Sequence, residues 1–244
     1  MTHSSIFVAS ISLIANAASA TAQAQTRGPL SLSVGAGYQF ETPIWSVVQP
    51  IGADTVRLSS AFAEGLALWA AAEWTFATHF ELEGMLRFLV LPIQRSCVPI
   101  RIDPQSSLGP ACAGTNAKVA TGSFGGAVAV LYRRFPKARW SPYLRTALGY
   151  LSLDASTVQL FSGTLFRDRS PRKGSASVDL AIGMDGPLGA RRRWYVEFGD
   201  LAFAADRVGA PADSTGSSPI SARVVHGFGA RVGMRIDLLA EASR

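Results

Sequence analysis

Apolar residues alternate with small or polar residues along most of this chain. Residues 30–40 show the pattern without a break, because leucine, valine, alanine, tyrosine or phenylalanine fills every second position and serine, glycine or glutamine fills the positions between. Successive side chains of a β-strand point to opposite faces of the sheet. A period of two therefore predicts a strand with one apolar and one polar face.

The same alternation recurs and predicts eight strands. They lie near residues 30–40, 64–76, 79–91, 122–134, 142–154, 174–186, 192–203 and 223–238. The fifth has the weakest pattern, because Thr146 shares the face of Leu144 while Leu151 shares the face of Arg145. Asp200 breaks the alternation of the seventh.

Long and short connections alternate between these strands. The long ones, near residues 41–63, 92–121, 155–173 and 204–222, are rich in Pro, Ser, Gly, Asp and Thr, and are predicted to be loops. The short ones are residues 77–78, 135–141 and 187–191. Long loops at one end and tight turns at the other are typical of outer-membrane barrels. The pattern predicts an all-β fold, an eight-stranded antiparallel up-and-down transmembrane β-barrel with four long loops at one end and short turns at the other.

Alternation alone also fits a soluble, lipocalin-like barrel with its apolar face inward. Aromatic residues on the apolar face favour the membrane barrel, because they concentrate near strand ends and fit two interfacial girdles. These residues are Phe40, Phe76, Phe80, Phe88, Phe124, Tyr132, Trp194 and Phe228. An aromatic soluble core is the alternative interpretation.

The polar faces carry charges of both signs among small residues. The charged residues predicted to line the lumen are Glu73, Glu81, Glu83, Arg87, Arg133, Arg145, Asp179, Asp185, Glu197, Arg231, Arg235 and Asp237. In a narrow eight-stranded lumen these groups can pair with one another, which favours a structural plug of ion pairs. A gated path for solutes is the alternative.

Residues 1–24 have the pattern of a secretory signal peptide. An apolar stretch from Ile6 to Ala15 precedes small residues and a cleavage site at 22–24, with a second candidate at 18–20. Residues 25–244 are then the exported barrel domain, with strands over about 30–238. Beyond residue 24 no run approaches the ~18 apolar residues of a membrane helix, so a membrane form of this chain must cross as a closed sheet.

The last strand carries a more specific pattern. Residues 231–238, Arg-Val-Gly-Met-Arg-Ile-Asp-Leu, are similar to the C-terminal signal that the barrel-assembly machinery recognises. Across residues 30–238 the chain resembles the eight-stranded OmpA-like and OmpW-like outer-membrane barrels. The resemblance implies a Gram-negative outer membrane as the location and the barrel-assembly machinery as a partner during biogenesis.

The two cysteines, Cys97 and Cys112, both lie in the second long connection. Export places them in an oxidising compartment, where a disulfide is expected. It would close a loop of about 16 residues and remove on the order of 3 kcal/mol of unfolded-chain entropy. A metal site would need more ligands than this connection offers, and it contains no histidine.

Other sequence features argue against an enzyme and against nucleic acid. Lipid A deacylases carry a His-x-Ser pair on a strand, whereas the position two after His226 is Phe228. His79 lies at a tight turn, where a structural role is expected. No P-loop, Rossmann or zinc motif occurs, so no cofactor is expected. The net charge of +6 is scattered rather than clustered, which does not favour nucleic acid.

The sequence therefore predicts a non-enzymatic outer-membrane barrel that displays long extracellular loops and has a structural or surface-interaction role. Outer-membrane lipid and lipopolysaccharide are the expected partners, with basic residues of the third long loop facing phosphates at the outer leaflet. These residues are Arg167, Arg169, Arg172 and Lys173. A small-solute, porin-like channel of the OmpW type is the alternative, and a lipid-modifying enzyme is the third hypothesis.

Overall fold

The computed structural model describes residues 29–51, 53–107, 109, 112, 116–119, 122–153, 174–208 and 220–238. The predicted signal peptide lies outside the described residues, and so does the third long loop with its four basic residues.

The described residues form twelve strands. They are β1 Leu30–Gln39, β2 Thr42–Ile51, β3 Asp54–Phe62, β4 Gly65–Ala77, β5 Phe80–Val90, β6 Ile93–Arg101, β7 Ala117–Val119, β8 Gly122–Arg133, β9 Ser141–Leu153, β10 Gly174–Pro187, β11 Arg192–Val208 and β12 Ile220–Asp237. Among the residues that can be described, no helix is long and apolar enough to cross a membrane.

Eight of these strands close into a barrel. Around the barrel the order is β1, β12, β11, β10, β9, β8, β5 and β4, and β4 pairs with β1 again. All neighbouring strands are antiparallel. Barrel strands that follow one another along the chain are also neighbours in the barrel. Ser33 of β1 lies opposite Arg235 on one side and Ala71 on the other, which fixes the register of closure. The predicted eight-stranded barrel is confirmed.

The prediction of loops was wrong for the first two long connections. Residues 41–63 and 92–121 contain β2, β3, β6 and β7, which form a four-stranded sheet in that order. Each of these strands continues a barrel strand, since β1, β4, β5 and β8 adjoin in the same order. Pro43 and Pro99 lie beside register shifts, where a missing N–H is tolerated. The proline and serine content of these segments therefore predicted loops where the structure has strands.

The fourth long connection is also shorter than predicted. β11 continues to Val208 and β12 begins at Ile220, so strand residues occupy both ends of the segment 204–222. Residues 209–219, between these two strands, are not among the described residues.

The faces of the barrel wall decide between a membrane barrel and a soluble one. Val128 and Val232 are 59% and 58% exposed on the outside, whereas Asp179 is completely buried inside. A soluble barrel would hold its apolar side chains inside and expose its charges. The observed orientation excludes that alternative.

The interior becomes apolar toward the loop end. Phe62 of the four-stranded sheet packs on Phe203 of β11, with ring centroids 5.7 Å apart. Buried apolar side chains of the sheet and of the barrel form one cluster there, which includes Ile44, Trp45, Val56, Leu58, Phe62, Leu89, Leu91, Leu201, Phe203 and Val225. This apolar core covers the loop end of the barrel.

Candidate functional site: the charged lumen and the lipid-facing wall

All twelve charged residues predicted to line the lumen lie inside the barrel. None of them is more than 8% exposed. Arg193 joins them at 2% exposed, although the sequence interpretation did not include it in the set. Its position on the same face as Tyr195 and Glu197 of β11 was the available signal.

Asp185 is the centre of the first cluster, near the turn end. Arg133 and Arg193 each lie 2.7 Å from its carboxylate, and Arg235 lies 2.6 Å from it. Arg133 also donates to Glu81 at 2.8 Å. Arg235 forms a second ion pair with Glu73 at 2.5 Å. One carboxylate thus holds three guanidinium groups from three different strands.

Asp179 is the centre of the second cluster, further toward the loop end. Arg231 donates to it at 2.7 Å, and Arg87 and Arg145 each donate at 3.2 Å. Glu197 lies within 3.4 Å of Arg231 and 3.2 Å of Arg145. Glu83 completes this cluster, 3.6 Å from Arg145.

The spacing of the two clusters follows from the sequence of β10. Asp179 and Asp185 are six residues apart, an even number, so both side chains point into the lumen. At a rise of about 3.3 Å per residue their Cα atoms are about 20 Å apart along the strand. The lumen therefore contains two successive ion-pair layers.

Aromatic side chains connect the layers. The Tyr143 hydroxyl donates to Glu197 at 2.9 Å, and the guanidinium of Arg133 lies 4.5 Å from the centroid of the Tyr143 ring. The indole of Trp69 donates to the Tyr195 hydroxyl at 2.5 Å, while Arg231 lies 5.7 Å from the Trp69 ring. Delocalised guanidinium groups stack well on such rings.

The charges inside the lumen nearly balance. Of the residues that the structure describes, seven carboxylates and six guanidinium groups are buried and face the lumen. They belong to Glu73, Glu81, Glu83, Asp179, Asp185, Glu197, Asp237, Arg87, Arg133, Arg145, Arg193, Arg231 and Arg235. Paired charges of this density fill the lumen and leave little net field to attract one sign of ion.

The predicted disulfide between Cys97 and Cys112 is confirmed. It ties β6 to the segment that precedes β7, and its Cα atoms are 5.3 Å apart. The same region is held by Asn116, whose side-chain oxygen accepts a hydrogen bond from the Cys97 backbone at 2.8 Å. The disulfide and this hydrogen bond together fix this part of the four-stranded sheet.

Asp54 holds a second point of the sheet. Its carboxylate accepts hydrogen bonds from the Ser106 hydroxyl and from the Asp103 backbone N–H, the latter at 2.6 Å. The bond from Ser106, followed by that from Asp103, lowers the pKa of Asp54 below its usual value because both favour the charged form.

Aromatic rings mark the outer wall near both ends of the barrel. Phe80 contacts Tyr132 with centroids 5.3 Å apart, and Trp140 contacts Trp194 at 5.1 Å. The predicted girdle residues Phe40, Phe76, Phe80, Phe88, Phe124, Tyr132 and Phe228 are all exposed on the outside. Trp194 is half-buried there. This arrangement matches the girdles of membrane barrels.

The two described histidines have different surroundings. His79 lies at the β4–β5 turn, where its Nδ1 atom is 2.7 Å from the Arg133 carbonyl oxygen. His226 faces outward, with Nδ1 2.7 Å from a carboxylate oxygen of Asp200. Asp200 therefore points to the outer wall, which explains why it interrupts the alternation of its strand.

Comparison with solved structures finds outer-membrane proteins. The fold is similar to that of the outer membrane protein OprG from Pseudomonas aeruginosa, with a TM-score of 0.52 and 13% identity over 90% of this chain and 100% of that chain. The outer membrane protein AlkL matches with a TM-score of 0.49 and 14% identity, over 92% of this chain and 97% of its own. Neisserial surface protein A matches with a TM-score of 0.44 and 10% identity, over 88% of this chain and 100% of its own.

No protein-family profile matches the chain, and no curated protein matches it. The likeness to OprG therefore concerns the fold, and it agrees with the closed barrel, the exposed apolar wall and the buried charges described above. The chain has the fold of an eight-stranded outer-membrane β-barrel, as the sequence resemblance predicted.

Proposed function

We propose that this chain is a non-enzymatic outer-membrane barrel whose lumen is sealed by ion pairs and whose role lies at the cell surface. The role is structural or one of surface interaction, and the loop end of the barrel carries it. A signal peptide at residues 1–24 would export the chain, and the barrel-assembly machinery would insert it.

The ion-pair layers around Asp179 and Asp185 are the observation that carries this proposal. Among the described residues, all six buried guanidinium groups of the lumen lie within 3.2 Å of one of these two carboxylates. Moving a solute through would require separating such pairs in a narrow barrel, where an unpaired charge costs several kcal/mol, roughly 3–5. Because the lumen is sealed, we assign the function to the surface of the protein and not to transport through it.

The four-stranded sheet supports a role at the loop end. It extends four of the barrel strands, and the disulfide and the hydrogen bonds of Asp54 hold its shape. Val48, Val98 and Ile100 are exposed on it. A rigid sheet with exposed apolar side chains is suited to contact with another surface. The basic residues 167, 169, 172 and 173 would add contacts to lipopolysaccharide phosphates, as expected from the sequence.

Membrane fractionation tests the location. The full-length chain, expressed in a Gram-negative host, should separate with outer membranes and migrate faster on unboiled than on boiled gels, because a closed barrel resists unfolding by detergent. Recovery in the soluble periplasmic fraction, with no difference between boiled and unboiled samples, would overturn the proposal.

Planar-bilayer recording tests the sealed lumen against the small-solute channel. Folded protein should add no defined conductance steps. The channel would be the better interpretation if steps occur and change size in Asp179→Asn but not in Glu41→Gln, which alters an exposed residue outside the barrel lumen.

An assay for fatty acid released from lipopolysaccharide tests the enzyme hypothesis. Release of fatty acid would support it.

A further inference from the structure

The turn end of the barrel carries a group of cations that the sealed lumen does not use. Arg134, Lys137, Arg191 and Arg192 are exposed there. We name these four residues the basic rim. The turns that contain them, residues 134–140 and 188–192, include no aspartate or glutamate, and both turns are fully described.

The nearby carboxylates of the lumen are less accessible than the basic rim. Asp185 and Glu81 are buried in the lumen, and each is paired with Arg133 there. The cations of the rim are exposed, at the level of the aromatic rings that mark the end of the apolar wall.

The two basic turns form one continuous surface. Trp140 ends the first turn and Trp194 follows the second, and their rings meet edge to face with centroids 5.1 Å apart. Gly186 permits this contact, because a Cβ atom at that position would lie 2.9 Å from the Trp140 ring and 3.1 Å from the Trp194 ring. Tryptophan at this level is typical of the membrane–water interface.

An apolar hollow in the outer wall begins beside the basic rim. Its volume is about 600 Å³, and Arg134 is one of the residues that line it. The other contributors include Tyr132, Leu144, Ile182, Met184, Val196 and Phe198. Tyr132 of β8 is paired with Leu144 of β9, Leu144 with Ile182 of β10, and Ile182 with Phe198 of β11, so the hollow spans four strands. It opens on the side that faces lipid.

We infer that the basic rim and this hollow form a binding site for an anionic phospholipid of the leaflet at the turn end. One acyl chain lies in the hollow, and the phosphate is held by Arg134 with Lys137 beside it. Guanidinium groups bind phosphate through paired hydrogen bonds, and clusters of basic residues near a membrane surface select anionic lipids. This inference rests on the proposed membrane location.

Quenching of tryptophan fluorescence by brominated lipids tests the site, because the paired rings of Trp140 and Trp194 lie at the same end of the barrel, next to the two basic turns. Folded protein is placed in phosphatidylcholine vesicles that contain a small fraction of brominated phosphatidylglycerol or of brominated phosphatidylcholine. Wild-type protein should show stronger quenching by the brominated phosphatidylglycerol, and the excess should fall as salt is raised.

Two rim variants and one control locate the effect. R134Q/K137Q should weaken the preference for phosphatidylglycerol on the order of tenfold, and R191Q/R192Q should weaken it less. The control R57Q/R101Q removes two cations from the four-stranded sheet and should leave the preference unchanged. The second rim variant keeps the test valid if the first fails to fold.

Several outcomes would overturn the inference. They are equal quenching by the two lipids in the wild type, an unchanged preference in both rim variants, and loss of the preference only in the control. Displacement of the labelled lipid by excess inorganic phosphate would show a site for phosphate alone, which contradicts the role of the hollow. Failure of the wild type to insert into phosphatidylcholine vesicles would instead overturn the membrane location on which the site rests.

Discussion

Asp179 on β10 accepts a hydrogen bond from Arg231 on β12 at 2.7 Å, although β11 separates the two strands. The contact is possible because both side chains point into the lumen and reach across it. Arg87 reaches the same carboxylate from β5, on another part of the barrel wall. Such bonds join distant strands through the interior, in addition to the hydrogen bonds of the wall.

The cluster around Asp185 should be essential for stability. Asp185→Asn removes the charge that faces Arg133, Arg193 and Arg235, so these guanidinium groups would be buried without full compensation. We expect a loss of about 3–5 kcal/mol in the free energy of unfolding. Urea unfolding of the folded protein in detergent micelles measures it. Glu41→Gln, at an exposed position, is the matched control, and an equal effect of the two substitutions would contradict the role of the cluster.

A charged side chain introduced on the outer wall should destabilise the protein where the wall contacts lipid. Leu148 is 67% exposed near the middle of β9, so Leu148→Arg would place a cation in the acyl region. We expect a loss of about 2–4 kcal/mol in lipid vesicles. Val48→Arg on the four-stranded sheet should change stability little, because that sheet lies beyond the barrel. Reversible unfolding in vesicles compares the two variants, and a harmless Leu148→Arg would argue against a lipid-facing wall.

The alternation of side chains was sufficient to predict the barrel and the interior set of charges. It could not predict which charges pair. Asp179 and Arg231, for example, meet only because the strands close into a ring with a particular register, and no local pattern specifies that register. Arg193 was not in the predicted set, although the alternation of β11 places it on the face of Glu197.

The four-stranded sheet shows a second limit. Val56 and Leu58 alternate with polar residues as they do in the barrel strands, and both are fully buried. Nearby prolines and serines suggested loops instead. Pro43 and Pro99 lie beside register shifts, where the missing hydrogen bond matters least, so composition was a poor guide to structure in this part of the chain.

The disulfide should stabilise the sheet without supporting the barrel. The cysteines are 15 residues apart and lie outside the barrel strands. Cys97→Ser/Cys112→Ser should cost about 3 kcal/mol of local stability, through added freedom of the opened segment. Hydrogen exchange should accelerate in β6 and β7 and stay unchanged in β9 and β10. Equal acceleration in all four strands would show that the sheet and the barrel unfold together.

The stability of the sheet should also depend on pH through Asp54. The Ser106 and Asp103 hydrogen bonds lower the pKa of Asp54 in the folded chain. A carboxyl group with a lowered folded pKa stabilises the fold above its unfolded pKa, about 3.9, and this contribution is lost as the pH falls through the folded value. Hydrogen exchange of β3 amides, compared with β10 amides between neutral and acidic pH, should therefore show selective loss of protection in β3 below about pH 4. Ser106→Ala removes the main cause of the shift, so the folded pKa of Asp54 should move toward its unfolded value and the selective loss should become smaller. If the wild type and Ser106→Ala gave the same pH profile, the Asp54–Ser106 hydrogen bond would not be the stabilising contact.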